Sequence, residues 1–219
     1  MARPAYLSRH PFDRVMALIV VLAAFGALWF RYATFRSSLY DLGVFEQVVW
    51  KMAHGHGATS SLTSWNAFAD HLSPVLLVFV PLYRLAATPM WFFGAQALAL
   101  GLGVLCVRPL AEAVGLRDRA DATNALVLLT AANAAIWNAA LFDFHPTTLA
   151  IPVLLIGCTA ALNHRHRDLW IVFAALIFLR DDLAVVGAAL ALVGWTTDSR
   201  SGRRMRLALA GAGVAWMII

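Results

Sequence analysis

Four short polar motifs interrupt an otherwise apolar sequence, and each holds ionisable side chains that could do chemistry. Carboxylates can act as general bases or hold a divalent cation, histidines can move protons, and arginine can bind phosphate. Because ionisable groups among membrane segments are costly to bury, such residues are candidates for function. In chain order, the motifs are 40–47 (YDLGVFEQ), 70–74 (DHLSP), 142–146 (FDFHP) and 180–182 (RDD).

Asp41 and Glu46 are the acids of the first motif. Apolar residues at positions 44, 45, 48, 49 and 52 have the spacing of an amphipathic helix, which we expect to lie on the membrane surface. Asp41 would stand at its start, where it could act as a base. The segment from Ser38 to Asp41 also fits a capping box, in which the carboxylate only caps the helix. Glu46 either contacts substrate or lies on a solvated polar face.

The histidines of the chain differ in how strongly the sequence indicates a functional role. His71 could bind a phosphate or accept a proton, or it belongs to the cap of a following helix. Asp143 and His145 lie in a tight turn between two apolar runs and are flanked by aromatic residues, which favours a functional pair. His54 and His56 flank a glycine, and a polar turn explains them better than a metal site, which would need further ligands.

The motif 180–182 is a charged corner, Arg180-Asp181-Asp182. It could neutralise itself through salt bridges. It could equally hold a phosphate through Arg180, with Asp182 as a second contact to the substrate. The sequence leaves both interpretations open.

The elements that must position these groups are membrane helices. Hydrophobic residues make up 61% of the 219 positions and charged residues 13%, about half the usual soluble share of roughly 25%. The chain is basic, but its arginines occur in short clusters between apolar runs, which is typical of a polytopic membrane protein rather than a nucleic-acid-binding one. We therefore expect an all-α, polytopic transmembrane bundle that contacts membrane lipids and binds no nucleic acid.

Apolar runs define the expected spans, since a bilayer core needs about 20 helical residues. The run 72–87 contains two prolines and an arginine, so we expect an interfacial or re-entrant helix there. The region 169–196 is either a hairpin of short helices or one long helix with charges in its middle. The final run reaches the last residue with no polar flank, so residues 1–219 are expected to be one transmembrane domain from the N-terminal part of a longer protein. The expected spans are 12–30, 90–107, 123–141, 147–162, 169–179, 183–196 and 207–219.

Arginine clusters predict the orientation, because cytoplasmic loops are enriched in basic residues. If 72–87 does not span, the clusters fall on one side, the N-terminus is cytoplasmic, and the loop 31–89 and all four motifs are extracytoplasmic. If 72–87 spans with the same N-terminal placement, the clusters move outside, against the rule. A spanning 72–87 with the N-terminus outside also satisfies the rule. The protein is therefore expected in the cytoplasmic membrane, and we prefer the first arrangement.

The order of these motifs resembles an uncharacterised family of prokaryotic integral membrane proteins, a domain of unknown function grouped with the GT-C glycosyltransferases. The resemblance runs from about residue 36 to residue 183 and depends mainly on the Asp-Leu-Gly element at 41–43 and the Phe-Asp-Phe-His-Pro element at 142–146. In that family we expect a basic residue, Glu and Asp at the charged corner. Asp181 keeps the charge of the expected Glu with a shorter reach.

The resemblance implies a GT-C-like bundle and a sugar transferase that uses a polyprenyl-phosphate-linked sugar outside the cytoplasmic membrane. It implies interfacial helices in the first outer loop. Some GT-C enzymes use a divalent cation and others do not, so Mg²⁺ or Mn²⁺ stays open. The resemblance implies an essential acidic residue at Asp41 and another at Asp143. The hypothesis that we build on it makes Asp41 the catalytic base, with substrate contacts at Glu46, His71, Asp143, His145, Arg180 and Asp182.

Two alternatives come from other classes of protein. A membrane transporter or lipid flippase could use the buried acids and histidines as a proton relay. Inverted repeats and broken spans would be expected of a transporter, and only 169–196 suggests a broken element. A scaffold with no chemistry is the third interpretation, and it predicts that the acid motifs tolerate alanine.

Overall fold

The computed structural model describes residues 5–63 and 66–216, and its fold is 71% helical. No strand occurs in these ranges, where the β contact is an isolated bridge between Thr59 and Asn66. The prediction of an all-helical protein is therefore confirmed. In chain order, the elements are α1 (Pro11–Ala33), α2 (Leu42–Ala53), α3 (Ala67–Asp70), α4 (Leu76–Leu85), α5 (Met90–Ala113), α6 (Ala120–Ala131), α7 (Ala134–Leu141), a 3₁₀ turn (Pro146–Leu149), α8 (Ala150–Leu162), α9 (His166–Leu179), α10 (Leu183–Leu190) and α11 (Arg200–Trp216).

Among the described residues, three stretches are long and apolar enough to cross a membrane. They are α1, α5 and the pair α6–α7, with 23, 24 and 22 residues. At about 1.5 Å per residue, each exceeds a hydrocarbon core of about 30 Å. The predictions of spans at 12–30, 90–107 and 123–141 are confirmed in length and composition. The chain breaks between α6 and α7, where the Asn133 side chain accepts a hydrogen bond from the Ala135 amide at 2.8 Å and so starts the next helix.

The last third of the chain differs from the prediction. Residues 180–182 separate α9 from α10, so this region is a hairpin and the single long helix is excluded. The helix α10 has only 8 residues, and the chain turns after Leu190, so the expected apolar arm through residue 196 is wrong in its second half. The helix α11 begins at Arg200 rather than 207 because its arginines lie within the helix.

The bundle is centred on the crossing of α1 and α5. A stripe of small and apolar residues on α1 is buried against α5. A Cβ added at Gly101 would lie 2.4 Å from Cγ2 of Val21 and 3.0 Å from the Ala17 carbonyl oxygen. Only glycine fits this contact, and its absence of a side chain lets the two backbones approach closely.

The segment 31–89 folds back on the end of this bundle. The helix α2 buries Leu42, Val48 and Val49, and Leu42 and Val49 share one core cluster with residues of α4. This one-sided burial agrees with the predicted amphipathic helix. The helix α4 has 10 residues, about 15 Å, which is too short to cross the hydrocarbon core. Its placement at the membrane surface stays a prediction.

Candidate functional site

One cleft holds four of the predicted site residues. It has a volume of about 300 Å³ and lies where α2 begins, between the segment 71–76, the 3₁₀ turn and the corner that joins α9 to α10. We call it the acid–histidine cleft and define it by Asp41, His71, His145 and Arg180, which all line it. Residues that are far apart in the chain thus meet at one end of the bundle.

Asp41 is free of the capping role that the sequence allowed. The Ser38 hydroxyl accepts hydrogen bonds from the amides of Tyr40 and Asp41, at 3.2 and 3.3 Å, as the serine of a capping box does. The amide of Ser38 would then donate to the Asp41 carboxylate, but it donates instead to Oδ2 of Asp143. The Asp41 carboxylate makes no cap hydrogen bond and faces the cleft.

His145 lies beside that carboxylate. Its Nε2 lies 3.7 Å from Oδ1 of Asp41, and both side chains are about one quarter exposed. The ring packs edge-on against Phe45 and tilted against Phe142, with centroid distances of 5.7 and 5.2 Å. Its Nδ1 lies 3.3 Å from the Asp143 carbonyl oxygen. These contacts fix the ring so that one nitrogen points toward Asp41.

Gln96 holds the turn that carries His145. This amide is fully buried in the first third of α5, where its Nε2 donates to the carbonyls of Ala139 and Phe142 at 2.9 and 3.1 Å. Its Oε1 accepts from the His145 amide at 3.2 Å. Sequence reasoning missed Gln96, although an uncharged amide alone in the apolar run 90–107 is a signal that could have found it.

His71 and Asp181 join the second wall of the cleft to the α9–α10 corner. Nδ1 of His71 lies 3.7 Å from Oδ1 of Asp181. Two backbone hydrogen bonds fasten the same segments, from Asp181 to the Leu72 carbonyl and from Val75 to the Phe178 carbonyl, both at 2.9 Å. No cap of α4 uses the His71 side chain.

Arg180 lines the cleft, and Asp182 is its ion-pair partner. Their side chains form an ion pair with Nε 3.1 Å from Oδ1. Asp182 is not among the residues that line the cleft. The corner thus combines the two interpretations that the sequence left open, because the guanidinium has a carboxylate partner and still faces the cavity.

Two other predicted site residues lie outside the cleft. Asp143 is only 3% exposed. Its carboxylate accepts a hydrogen bond from the Ser38 amide, and its backbone carbonyl contacts the ring of His145. Glu46 lines a different cavity, together with Gly43 and Tyr83. Burial raises the pKa of its carboxyl group. Neither residue lines the cavity of the acid–histidine cleft, and the proposed substrate contacts at these residues and Asp182 stay predictions. The side chain of Asp70 lies outside the described residues.

The contact between Asp41 and His145 bears on one question of topology. If 72–87 crossed the membrane together with the expected spans 90–107 and 123–141, residues 41 and 145 would lie on opposite sides, whichever side the N-terminus occupies. A 3.7 Å contact is impossible in that arrangement. Both the short α4 and this contact favour the arrangement in which 72–87 does not span.

Metal ligands are sparse. No group of three or more histidine, cysteine, aspartate or glutamate side chains is close enough to hold an ion within the ranges 5–63 and 66–216. At the cleft, Asp41 is the acid among the lining residues, and His71 and His145 lie beside the same cavity. Mg²⁺ is often held by one or two carboxylates together with substrate phosphates and waters, so the use of Mg²⁺ or Mn²⁺ stays a prediction. His54 stacks on Trp50 with a centroid distance of 4.2 Å, which agrees with a polar turn.

Residues 31–219 match the profile of the family described as "Predicted membrane protein (DUF2079)". The chain belongs to the DUF2079 family. No curated protein and no solved structure matches the chain significantly. The resemblance to a membrane family of unknown function is thereby confirmed for this DUF2079 protein. The link to the GT-C glycosyltransferases stays a prediction.

Proposed function

We propose that this DUF2079 protein is an integral membrane glycosyltransferase. It would transfer a sugar from a polyprenyl-phosphate donor to an acceptor hydroxyl on the extracytoplasmic face of the cytoplasmic membrane. The observation that carries the proposal is the acid–histidine cleft. It is lined by the Asp41 carboxylate, which makes no helix-capping hydrogen bond, and by two histidines and an arginine. The GT-C resemblance of the elements at 41–43 and 142–146 adds the reaction class.

Asp41 is the general base of this proposal. Its carboxylate takes the proton of the acceptor hydroxyl while the hydroxyl oxygen forms a bond to C1 of the sugar. The bond between C1 and the phosphate oxygen breaks, and its electron pair stays on that oxygen. The products are the glycosylated acceptor, polyprenyl phosphate and a protonated Asp41. Attack opposite the leaving phosphate inverts the configuration at C1.

The leaving phosphate needs positive charge and hydrogen-bond donors where its negative charge develops. Arg180 supplies a permanent charge with two-pronged geometry, held in place by Asp182. His71 and His145 can each donate a hydrogen bond when protonated, and each lies 3.7 Å from a carboxylate that orients the ring. The cleft therefore places one carboxylate beside a group of side chains that can bind phosphate.

A lipid-linked donor also needs an apolar approach to the cleft. Tyr40 lines the cavity and is 61% exposed, and Phe142 contacts the His145 ring while remaining 54% exposed. Such exposed aromatic side chains are typical of the boundary between lipid and water. A donor whose phosphate enters from the membrane would pass them, which supports a polyprenyl carrier over a soluble sugar nucleotide.

The test compares wild-type protein, Asp41→Asn and a control, Asp118→Asn, which removes an exposed acid far along the chain. Each is incubated with undecaprenyl phosphate carrying a radiolabelled hexose or pentose and with extracted cell-envelope acceptors. General-base catalysis contributes about 10²-fold or more, so Asp41→Asn should lower transfer at least about 100-fold. The control should match wild type. Full transfer by Asp41→Asn would make the assignment of the base wrong.

A proton-coupled transporter is the second candidate, and the broken helices favour it. The breaks at 132–133 and 180–182 resemble the discontinuous helices that bind substrate in transporters. The pairs Asp41–His145 and His71–Asp181 could then relay protons. Acidification of liposomes that depends on Asp41, with no sugar transfer by any donor in the panel, would favour transport.

Orientation is tested with cysteines introduced in a background that lacks Cys106 and Cys158. His56 is exposed and Thr147 is half-buried near the cleft, so both should react with a membrane-impermeant thiol reagent in intact cells. A cysteine at Arg204, exposed on α11, should react only after permeabilisation. Labelling of Arg204→Cys alone in intact cells would invert the proposed orientation.

A further inference from the structure

A second cleft lies at the arginine-rich end of the bundle, and a proline in α5 explains how its wall is fixed. Pro109 has no amide hydrogen, so the carbonyl of Leu105 lacks the helical partner that it would have four residues later. The amide of Ser8 donates to this carbonyl at 2.9 Å. The bond holds the residues before α1 against α5, and Ser8 is only 8% exposed.

Between this N-terminal segment and the ends of α5 and α8 lies a cavity of about 370 Å³. We call it the arginine cleft and define it by Arg9, Arg108 and Arg117, which line it together with His10 and Asn163. It shares no lining residue with the acid–histidine cleft. The proposed glycosyl transfer does not use it.

The three arginines differ in how they are partnered. Arg108 is committed to the fold, because its Nε and Nη2 donate to the two oxygens of the buried Asp13 at 2.6 Å each, and Nη2 also donates to Asn124. Arg117 has a weak ion pair with Glu112 at 3.8 Å, and its side chain is 77% exposed. Arg9 forms no ion pair with any residue in the described ranges. Arg9 and Arg117 are therefore cations available to a ligand.

The position of the cleft indicates which anion it meets. The candidate span α1 begins at Pro11 and α5 ends at Ala113, so the cavity lies where these helices leave the hydrocarbon core. Leu7, which lines the cavity, is 40% exposed, and Val114, which follows the lining residue Ala113, is 57% exposed. Lipid headgroups occupy this depth, and basic pockets between membrane helices bind anionic ones.

We propose that the arginine cleft binds the phosphate group of an anionic membrane lipid, with Arg9 and Arg117 as its ligands. Guanidinium groups donate paired hydrogen bonds to phosphate oxygens, and the lipid tails would lie along the exposed apolar border. The lipid would join the N-terminal segment to the end of α5, the two elements that the Ser8 amide already connects.

The test measures lipid binding with phosphatidylglycerol as the probe and phosphatidylcholine as the neutral comparison. Native mass spectrometry of the purified full chain gives the dissociation constant of the first bound lipid. The double variant Arg9→Gln/Arg117→Gln should weaken phosphatidylglycerol binding about thirtyfold, since each basic contact contributes about fivefold. The control, Arg200→Gln/Arg204→Gln, removes the same charge from exposed positions on α11 and should stay within about twofold of wild type.

Several outcomes would overturn the proposal. Equal weakening by the cleft and control variants would mean that binding follows overall charge. Equal binding of phosphatidylglycerol and phosphatidylcholine would remove the anion preference. Displacement of the lipid by millimolar inorganic phosphate, with retention of phosphate by lipid-free protein, would identify a soluble anion instead. If the double variant fails to fold, Arg9→Gln alone alters an exposed, unpaired side chain and should still weaken binding about fivefold.

Discussion

Gln96→Met is the substitution that most directly tests how the site is built. Methionine has nearly the same length and is unbranched, so packing within α5 is kept while three hydrogen bonds are lost. Two of those bonds satisfy the carbonyls of Ala139 and Phe142 at the end of α7, where the helix itself no longer supplies donors. The third holds the amide of His145.

The size of the effect follows from the value of a hydrogen bond in a membrane protein. Double-mutant cycles give about 0.6 kcal/mol for an average bond and about 1.7 kcal/mol at most. Three bonds therefore predict a loss of about 2 kcal/mol in the free energy of unfolding. The turn 142–146 should also open more often, because Gln96 bonds its Phe142 carbonyl and its His145 amide to α5.

Two measurements check this prediction. Reversible unfolding in mixed micelles gives the free energy, and hydrogen exchange gives the opening of the His145 amide. We expect that amide to exchange about thirtyfold faster, the equivalent of 2 kcal/mol. Gly94→Ala, on the same helix with no neighbour within 4 Å of the added Cβ, should not lower the free energy of unfolding, since alanine in a helix is about 0.5–1 kcal/mol more favourable than glycine, and it should not speed exchange of the His145 amide. Wild-type stability and unchanged exchange in Gln96→Met would refute the assignment of Gln96 as the support of the turn.

Three further changes test the scaffold. Gly101→Ala should lower the free energy of unfolding by about 1–3 kcal/mol, measured as above, because its Cβ would overlap Val21. Arg206→Met should cost about 3–5 kcal/mol, since it leaves Asp198, which is 4% exposed, without its partner at 2.6 Å. Burial raises the pKa of Asp198, but hydrogen bonds from Arg206 and the Ser199 amide hold it below the ordinary value. Ionised Asp198 therefore stabilises the folded protein at neutral pH, and this stabilisation is lost below about pH 4. The free energy of unfolding, measured over a pH series, should show no such loss in Asp198→Asn.

The sequence predicted those parts of the fold that depend on local pattern. The long apolar runs of α1 and α5 and the amphipathic face of α2 are visible in consecutive residues. The lengths of α10 and α11 were predicted poorly because apolarity continues through turns and arginines occur inside a helix. Apolar composition marks burial in lipid or protein, but it does not mark where a helix ends.

For the site, the sequence supplied the residue types but could not supply their partners. Asp41, His71, His145 and Arg180 were recognised because ionisable groups are rare in this chain, and they do line one cleft. The Ser38 amide donates to Asp143, which lies 105 positions away, and not to Asp41. No local sequence pattern can show this hydrogen bond. The same holds for the contacts of Gln96, which lie 43 to 49 positions away.

These distant contacts share one physical cause. In a membrane, backbone groups without partners are costly, and helix breaks create such groups. Pro109 cannot donate to the Leu105 carbonyl, and the Ser8 amide donates to it instead. The side chain of Gln96 donates to the carbonyls at the end of α7. The Ser38 amide is taken by Asp143 in the same way. Because that last partner is not Asp41, the Asp41 carboxylate stays available to the cleft, so the requirement to satisfy the backbone also prepares the acid on which the proposed chemistry depends.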